Sequence, residues 1–218
     1  PNFAVTLPDV PPNFYGFTDY TGPSSMGDVN NDERPDLVVG MTTHALDVAL
    51  GNPDGSFTPA PQVNIPIPTD EDDGDGDPLG DNFDKITRTT IGDFNGDGDP
   101  DVAMVMRSDS NPQSDIYVAN GNGDGTFTPD ASNPVLLGGF QKKFTDIKAI
   151  DLNGDAFDDV VVIPPINTPN SLYQRTMLGS ASGLVLNPNP NGNPYPGGFA
   201  RLAEVADMNN DGKQDVVT

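Results

Sequence analysis

The pattern Asp-x-Asn-x-Asp-x-x-x-Asp, followed at once by β-branched or other apolar residues, occurs four times in this chain of 218 residues. GDVNNDERPDLVVG spans 27–40, GDFNGDGDPDVAMV 92–105, DLNGDAFDDVVVI 151–163 and ADMNNDGKQDVVT 206–218. The leading aspartates, Asp28, Asp93, Asp151 and Asp207, are 65, 58 and 56 residues apart. A near-constant period of this size is the mark of a repeat architecture, in which each unit buries its apolar face only against its neighbours.

A second phrase recurs within the period. LGNPDGSFTPA (50–60) and ANGNGDGTFTPD (119–130) are nearly identical, and LGSASGLVLNP (178–188) is a looser third copy. A Gly-rich centre between β-formers reads as a hairpin turn. One period then holds about four strands. In the second these are ITRTTIG (86–92), DVAMVM (101–106), DIYVAN (115–120) and GTFTP (125–129). The runs Leu37–Val39, Val102–Met106 and Val160–Ile163 are continuously apolar, as expected of strands covered on both faces. FQKKFTDIKAI (140–150) also carries a helical spacing at Phe140, Phe144 and Ile147, but its second half stands where ITRTTIG stands, which favours a strand. The fold expected is all-β: a β-propeller of four-stranded antiparallel blades, about three and a half of them in this chain. The repeats fall at about 22–63, 85–131, 143–188 and 200–218.

So many like charges beside a buried strand need a cation. Oxygens at positions 1, 3 and 5 of a tight loop converge, and the carbonyl of position 7 with the carboxylate of position 9 completes the six to eight oxygens that Ca²⁺ takes. Mg²⁺ fits less well, because it demands a strict octahedron and keeps its waters. The side-chain ligands expected are Asp28, Asn30, Asp32 and Asp36; Asp93, Asn95, Asp97 and Asp101; Asp151, Asn153, Asp155 and Asp159; and Asp207, Asn209, Asp211 and Asp215. The carbonyls are those of Arg34, Asp99, Phe157 and Lys213, giving about one Ca²⁺ per loop and four in all. The competing reading is an ordinary Asp/Asn/Gly turn with solvated charge. Four acidic residues in each of the first three loops and three in the last make fifteen of the chain's 33, more than a turn requires.

These residues closely resemble the FG-GAP repeats of the integrin alpha-chain propeller and the related VCBS-type repeats of secreted bacterial proteins. The resemblance implies a propeller whose acidic loop joins the first two strands of a blade and binds Ca²⁺, in an extracellular, cell-adhesion setting. The FG and GAP tripeptides are poorly kept, and Ala156 and Glu33 stand where Gly is usual. Three blades and half of a fourth do not close a ring, so the rest of a longer polypeptide, or a second copy, is expected to complete it.

The net charge of −23 argues against nucleic acid and against an anionic membrane surface. No apolar run approaches the ~20 residues that span a bilayer. The absence of Cys excludes disulfides and thiolate chemistry. No phosphate loop or nucleophile elbow is present, and the one histidine, His44 in MTTHALDVAL, reads as a structural or exposed strand residue. The chain is therefore expected not to be an enzyme but an extracellular interaction module for protein or carbohydrate at the cell surface or matrix. The alternatives are the propeller of a secreted polysaccharide-acting enzyme and a subunit of an extracellular filament or surface layer. The lack of Trp weakens a sugar-stacking role; Tyr15, Tyr20, Tyr117, Tyr173 and Tyr195 are the available substitutes. TDEDDGDGDPLGDNFD (69–84), with eight acidic residues in sixteen, reads as a solvated insertion or as an additional Ca²⁺ loop. It lacks the closing carboxylate and the following strand, which favours the first.

Overall fold

The computed structural model describes residues 23–41, 44–66, 85–107, 114–130, 146–163, 175–187, 204–206 and 215–217. Every regular element among them is a strand, and no helix there is long and apolar enough to cross a membrane. The first sheet runs β1 (Ser24–Gly27), β2 (Asp36–Gly40), β3 (Ala45–Gly51) and β4 (Phe57–Pro59), with the short β5 (Val63–Asn64) added on β3. The second runs β6 (Lys85–Gly92), β7 (Asp101–Arg107), β8 (Ser114–Gly121) and β9 (Phe127–Pro129). The third runs β10 (Asp146–Ile150), β11 (Asp159–Ile163), β12 (Arg175–Leu178) and β13 (Val185–Leu186). Two strands, β14 (Glu204–Ala206) and β15 (Asp215–Val217), pair as the start of a fourth.

Each sheet is an antiparallel meander in chain order, the form of a propeller blade. Three blades and the first two strands of a fourth are thus in place, with no closed ring. The acidic loop joins the first strand to the second in each of the three four-stranded blades, and the second half of FQKKFTDIKAI contains the strand β10. His44 departs from expectation. It precedes β3 in a left-handed turn, at φ 48°, rather than lying in the strand, and its carbonyl accepts the Ile65 N–H at 2.9 Å.

The blades stack face to face, which explains the unbroken apolar runs. Along β7, Val102, Met104 and Met106 join Val38, Leu46 and Val48 of the first blade in one core. The alternate residues Ala103 and Val105 join Ile147, Val160 and Val162 of the third blade in another. β8 divides likewise, Tyr117 and Ala119 to one side and Ile116 and Val118 to the other. Every residue from Val102 to Met106 is fully buried. Each large aliphatic side chain so buried contributes about 1.5–3 kcal/mol, so the interfaces between blades, not the isolated sheets, hold the fold. Leu37 is only partly buried, packed on the small outer cluster of Val39, Met41 and Ala45.

The first strands lie innermost. β6 packs on β1 on one side and on β10 on the other. The Ser25 and Thr89 hydroxyls share a hydrogen bond of 2.8 Å, and Ala149 N–H donates to Thr90 Oγ1 at 3.0 Å, so consecutive blades are stitched together at the centre.

Candidate functional site

The three described acidic loops share one wiring. The position 1 carboxylate reaches across the loop: Asp28 accepts the N–H groups of Asp32 (3.0 Å) and Glu33 (2.6 Å). Asp93 accepts those of Gly96 (2.7 Å) and Gly98 (3.0 Å), and Asp151 those of Gly154 (2.7 Å) and Ala156 (3.1 Å). The position 3 amide oxygens of Asn30, Asn95 and Asn153 accept the N–H of position 5. The position 5 carboxylates of Asp32, Asp97 and Asp155 accept the N–H of Arg34, Asp99 and Phe157. These short-range bonds are Asx turns, and they fold the loop into a curl with its oxygen-bearing side chains drawn together.

The curl uses left-handed backbone at positions 4 and 6 of each of the three described loops. Asn31, Gly96 and Gly154 occupy the first of these at φ 59°, 76° and 79°. Glu33, Gly98 and Ala156 occupy the second at φ 65°, 87° and 73°. Residues with a Cβ are strained there by about 1 kcal/mol or more. Ala156→Gly is therefore expected to raise the unfolding free energy by about 0.5–1 kcal/mol, and Gly98→Ala to lower it by a similar amount or more. Urea denaturation midpoints measure both.

Position 9 is different in kind. Asp36, Asp101 and Asp159 are fully buried. Oδ2 of each accepts the N–H of position 2, from Val29 (2.9 Å), Phe94 (3.0 Å) and Leu152 (3.0 Å). Oδ1 accepts an N–H from the end of the third strand or just beyond it: Gly51 (2.7 Å), Gly121 (2.9 Å) and Gly179 (2.9 Å). This carboxylate thus ties the loop to the blade. Burial pushes the Asp101 carboxyl up to about 7, against the opposing pull of the Gly121 and Phe94 N–H groups, and the charges of Asp97 and Asp93 push it further. Burial raises Asp159 as well.

The glycines of this clamp were not singled out as a contact in the sequence, where they read as part of a turn. A Cβ on Gly51, Gly121 or Gly179 would stand 2.3–2.4 Å from the carbonyl oxygen of Pro35, Pro100 or Asp158. Their signal was the same place in all three copies of the hairpin phrase. Position 2 was also missed: Val29 and Phe94 are fully buried and anchor their loops in the two cores between blades.

Neighbouring loops touch. Asn31 Nδ2 donates to Asp99 Oδ1 at 2.8 Å. Asp158 Oδ2 accepts the Asp93 N–H at 3.0 Å, and Asp158 N–H donates to the Asp93 carbonyl at 2.8 Å. Burial, with the charges of Asp93 and Asp151, raises the Asp158 carboxyl. In the first loop the Arg34 guanidinium pairs with Asp32 and donates through Nε to the Gly51 carbonyl at 2.8 Å.

The donor set of each described loop is all oxygen, three carboxylates and an amide, which suits a hard divalent cation such as Ca²⁺. Each oxygen has two lone pairs, so a single N–H bond leaves acceptor capacity for an ion. Among the described residues, no three carboxylate or imidazole side chains are gathered into a finished cage. Asp207, Asn209, Asp211 and Lys213, the acidic segment 69–84, and Tyr15, Tyr20, Tyr173 and Tyr195 lie outside the described residues. Asp215 opens β15.

A family model described as FG-GAP-like repeat matches the chain over residues 28–104, 93–162 and 151–218. No curated protein matches it.

Proposed function

Since the chain belongs to the FG-GAP-like repeat family, we propose that it is a calcium-stabilised, propeller-type interaction module that works outside the cell, docking protein or glycan partners rather than catalysing a reaction. The carrying observation is the shared Asx-turn wiring of three all-oxygen loops, each fastened by a buried carboxylate to the turn of its own blade. Bound there, Ca²⁺ supplies charge neutralisation and a cross-link. Asp28, Asn30, Asp32 and Asp36 would hold it in the first loop, Asp93, Asn95, Asp97 and Asp101 in the second, and Asp151, Asn153, Asp155 and Asp159 in the third. The sequence of the fourth loop provides the same set, Asp207, Asn209, Asp211 and Asp215. Extracellular fluid supports the reading because its Ca²⁺ is abundant enough for sites of ~10⁻⁴–10⁻³ M affinity. A rigid stack of blades presenting loops is a scaffold for recognition.

The test is equilibrium dialysis with ⁴⁵Ca. About one ion per acidic loop is expected, with binding lost stepwise in Asp97→Asn and Asp155→Asn. Binding of no ion, or binding unchanged in both variants, would reject the reading. The first loop is expected to bind most weakly, because Arg34 already neutralises Asp32.

A further inference from the structure

The second and third acidic loops are joined more closely than the first and second. Asp158, at position 8 of the third loop, holds the main chain of Asp93, at position 1 of the second. Asp158 Oδ2 accepts the Asp93 N–H at 3.0 Å, and Asp158 N–H donates to the Asp93 carbonyl at 2.8 Å. The next carbonyl, of Phe94, accepts the N–H of Ser180, just beyond β12, at 3.1 Å. The Phe157 ring lies over Gly96, where a Cβ would stand 2.4 Å from it. The third blade thus holds positions 1, 2 and 4 of the second loop.

The first and second loops lack this grip for a covalent reason. Position 8 of the second loop is Pro100, and proline has no N–H to offer the Asp28 carbonyl. These two loops meet instead through the exposed side-chain bond of Asn31 Nδ2 to Asp99 Oδ1, for which water competes and which therefore contributes little. Pro35 holds the same place in the first loop, so the curl itself accepts proline at position 8. In the third loop Asp158 stands between two of the expected ligands, the Phe157 carbonyl and the Asp159 carboxylate. An ion there fixes residues 157 and 159, hence the residue between them, and through it the main chain that carries the first ligand of the second loop.

We propose, resting on the reading that these loops hold Ca²⁺, that Asp158 is a positioning residue that couples them: calcium in the third loop raises the affinity of the second. By linkage the second raises the third by the same factor, about fivefold or more. The ordering that both loops share is met by the first ion, so the second ion meets less of it. Repulsion between the two ions works against the coupling, but physiological salt screens it over about 8 Å, whereas the hydrogen bonds between Asp93 and Asp158 are short-range and partly shielded from water. The first loop, tied to the second by one exposed bond, fills independently.

A mutant cycle read by ⁴⁵Ca binding isotherms of the full chain at physiological salt tests the proposal. Asp97→Asn is expected to remove one ion and to weaken the binding of another about fivefold or more. Asp32→Asn is expected to remove one ion and leave the others within about twofold. In an Asp158→Pro background, Asp97→Asn should remove its one ion and leave the others within about twofold. Asp158→Asn, which keeps both an oxygen acceptor and the N–H, should preserve the coupling. Asp97→Asn and Asp32→Asn each removing one ion and nothing more would overturn the proposal, and so would coupling that survives Asp158→Pro undiminished. If Asp158→Pro does not fold, Asp158→Ala decides in its place: it loses the carboxylate bond, and undiminished coupling in it overturns the proposal. Binding of no ion by the parent chain is a separate result, which removes the calcium reading itself and the proposal with it.

Discussion

Chelation with EGTA is expected to lower the melting midpoint of the chain by about 10 °C or more, and re-addition of Ca²⁺, but not of an equal concentration of Mg²⁺, to restore it. An ion that binds only the folded form stabilises it by about 2.7 kcal/mol at a hundredfold excess over its Kd. Four such loops supply an amount comparable to the whole ~5–15 kcal/mol stability of an ordinary domain. The physical need is plain in the second loop, where burial works against the charge on Asp101 and the charges of Asp97 and Asp93 add to it. Differential scanning calorimetry in EGTA and in Ca²⁺ measures the difference. Coincident melting curves would remove the calcium reading of the loops, and with it their role as the cement of the fold.

Replacing Asp101 by Asn should destabilise the chain whether or not calcium is present, whereas replacing Asp97 by Asn should act only on the calcium response. Both oxygens of Asp101 accept buried backbone N–H groups, from Gly121 and Phe94. An amide can keep one of them; its NH₂ then confronts the other donor. Leaving a buried N–H donor without an acceptor costs about 2–3 kcal/mol, which in a chain of this size moves the midpoint by about 5–10 °C. Asp97 is exposed and accepts only the Asp99 N–H through Oδ1, a bond that the Asn carbonyl reproduces. Its removal is expected to leave the metal-free midpoint within about 1–2 °C of the parent, since surface substitutions stay within about ±0.5 kcal/mol. Equal effects of the two variants in EGTA would show that the ninth position has no structural role of its own.

Asp101 also gives a pH dependence. The folded-state carboxyl of Asp101 is raised from 3.8 to about 7. Between those values the metal-free folded chain holds a proton that the unfolded chain has released, so metal-free stability falls as pH rises through this window. Asp158 and Asp159, raised by burial in the same direction, add to the trend. Calcium prefers the ionised carboxylates and opposes it. The midpoint in EGTA should therefore drop between about pH 5 and about pH 7.5, while the gain from Ca²⁺ grows over the same interval. A calcium gain that is flat or shrinking with pH would contradict this account.

Much of the fold was legible because the relevant physics is local. The period between Asp28, Asp93, Asp151 and Asp207 fixed the unit, and the unbroken apolar run at Val102–Met106 announced a strand covered on both faces. The side chains of the loops were legible for the same reason, since Asx turns join residues only a few positions apart. His44 was misread as part of a strand because its left-handed turn lies inside an apolar stretch, with no Gly, Pro or Asn to mark it.

The sequence by itself determined the blade as the unit, the position of each acidic loop and the all-oxygen chemistry of its side chains, because periodicity and turn propensity are properties of neighbours along the chain. Only the tertiary structure decided that Asp36, Asp101 and Asp159 spend their carboxylates on glycine N–H groups 15 to 20 residues away. Only it joined Ser25 to Thr89 and Thr90 to Ala149 across consecutive blades. Those outcomes depend on how sheets stack, and such contacts join residues that no local pattern relates.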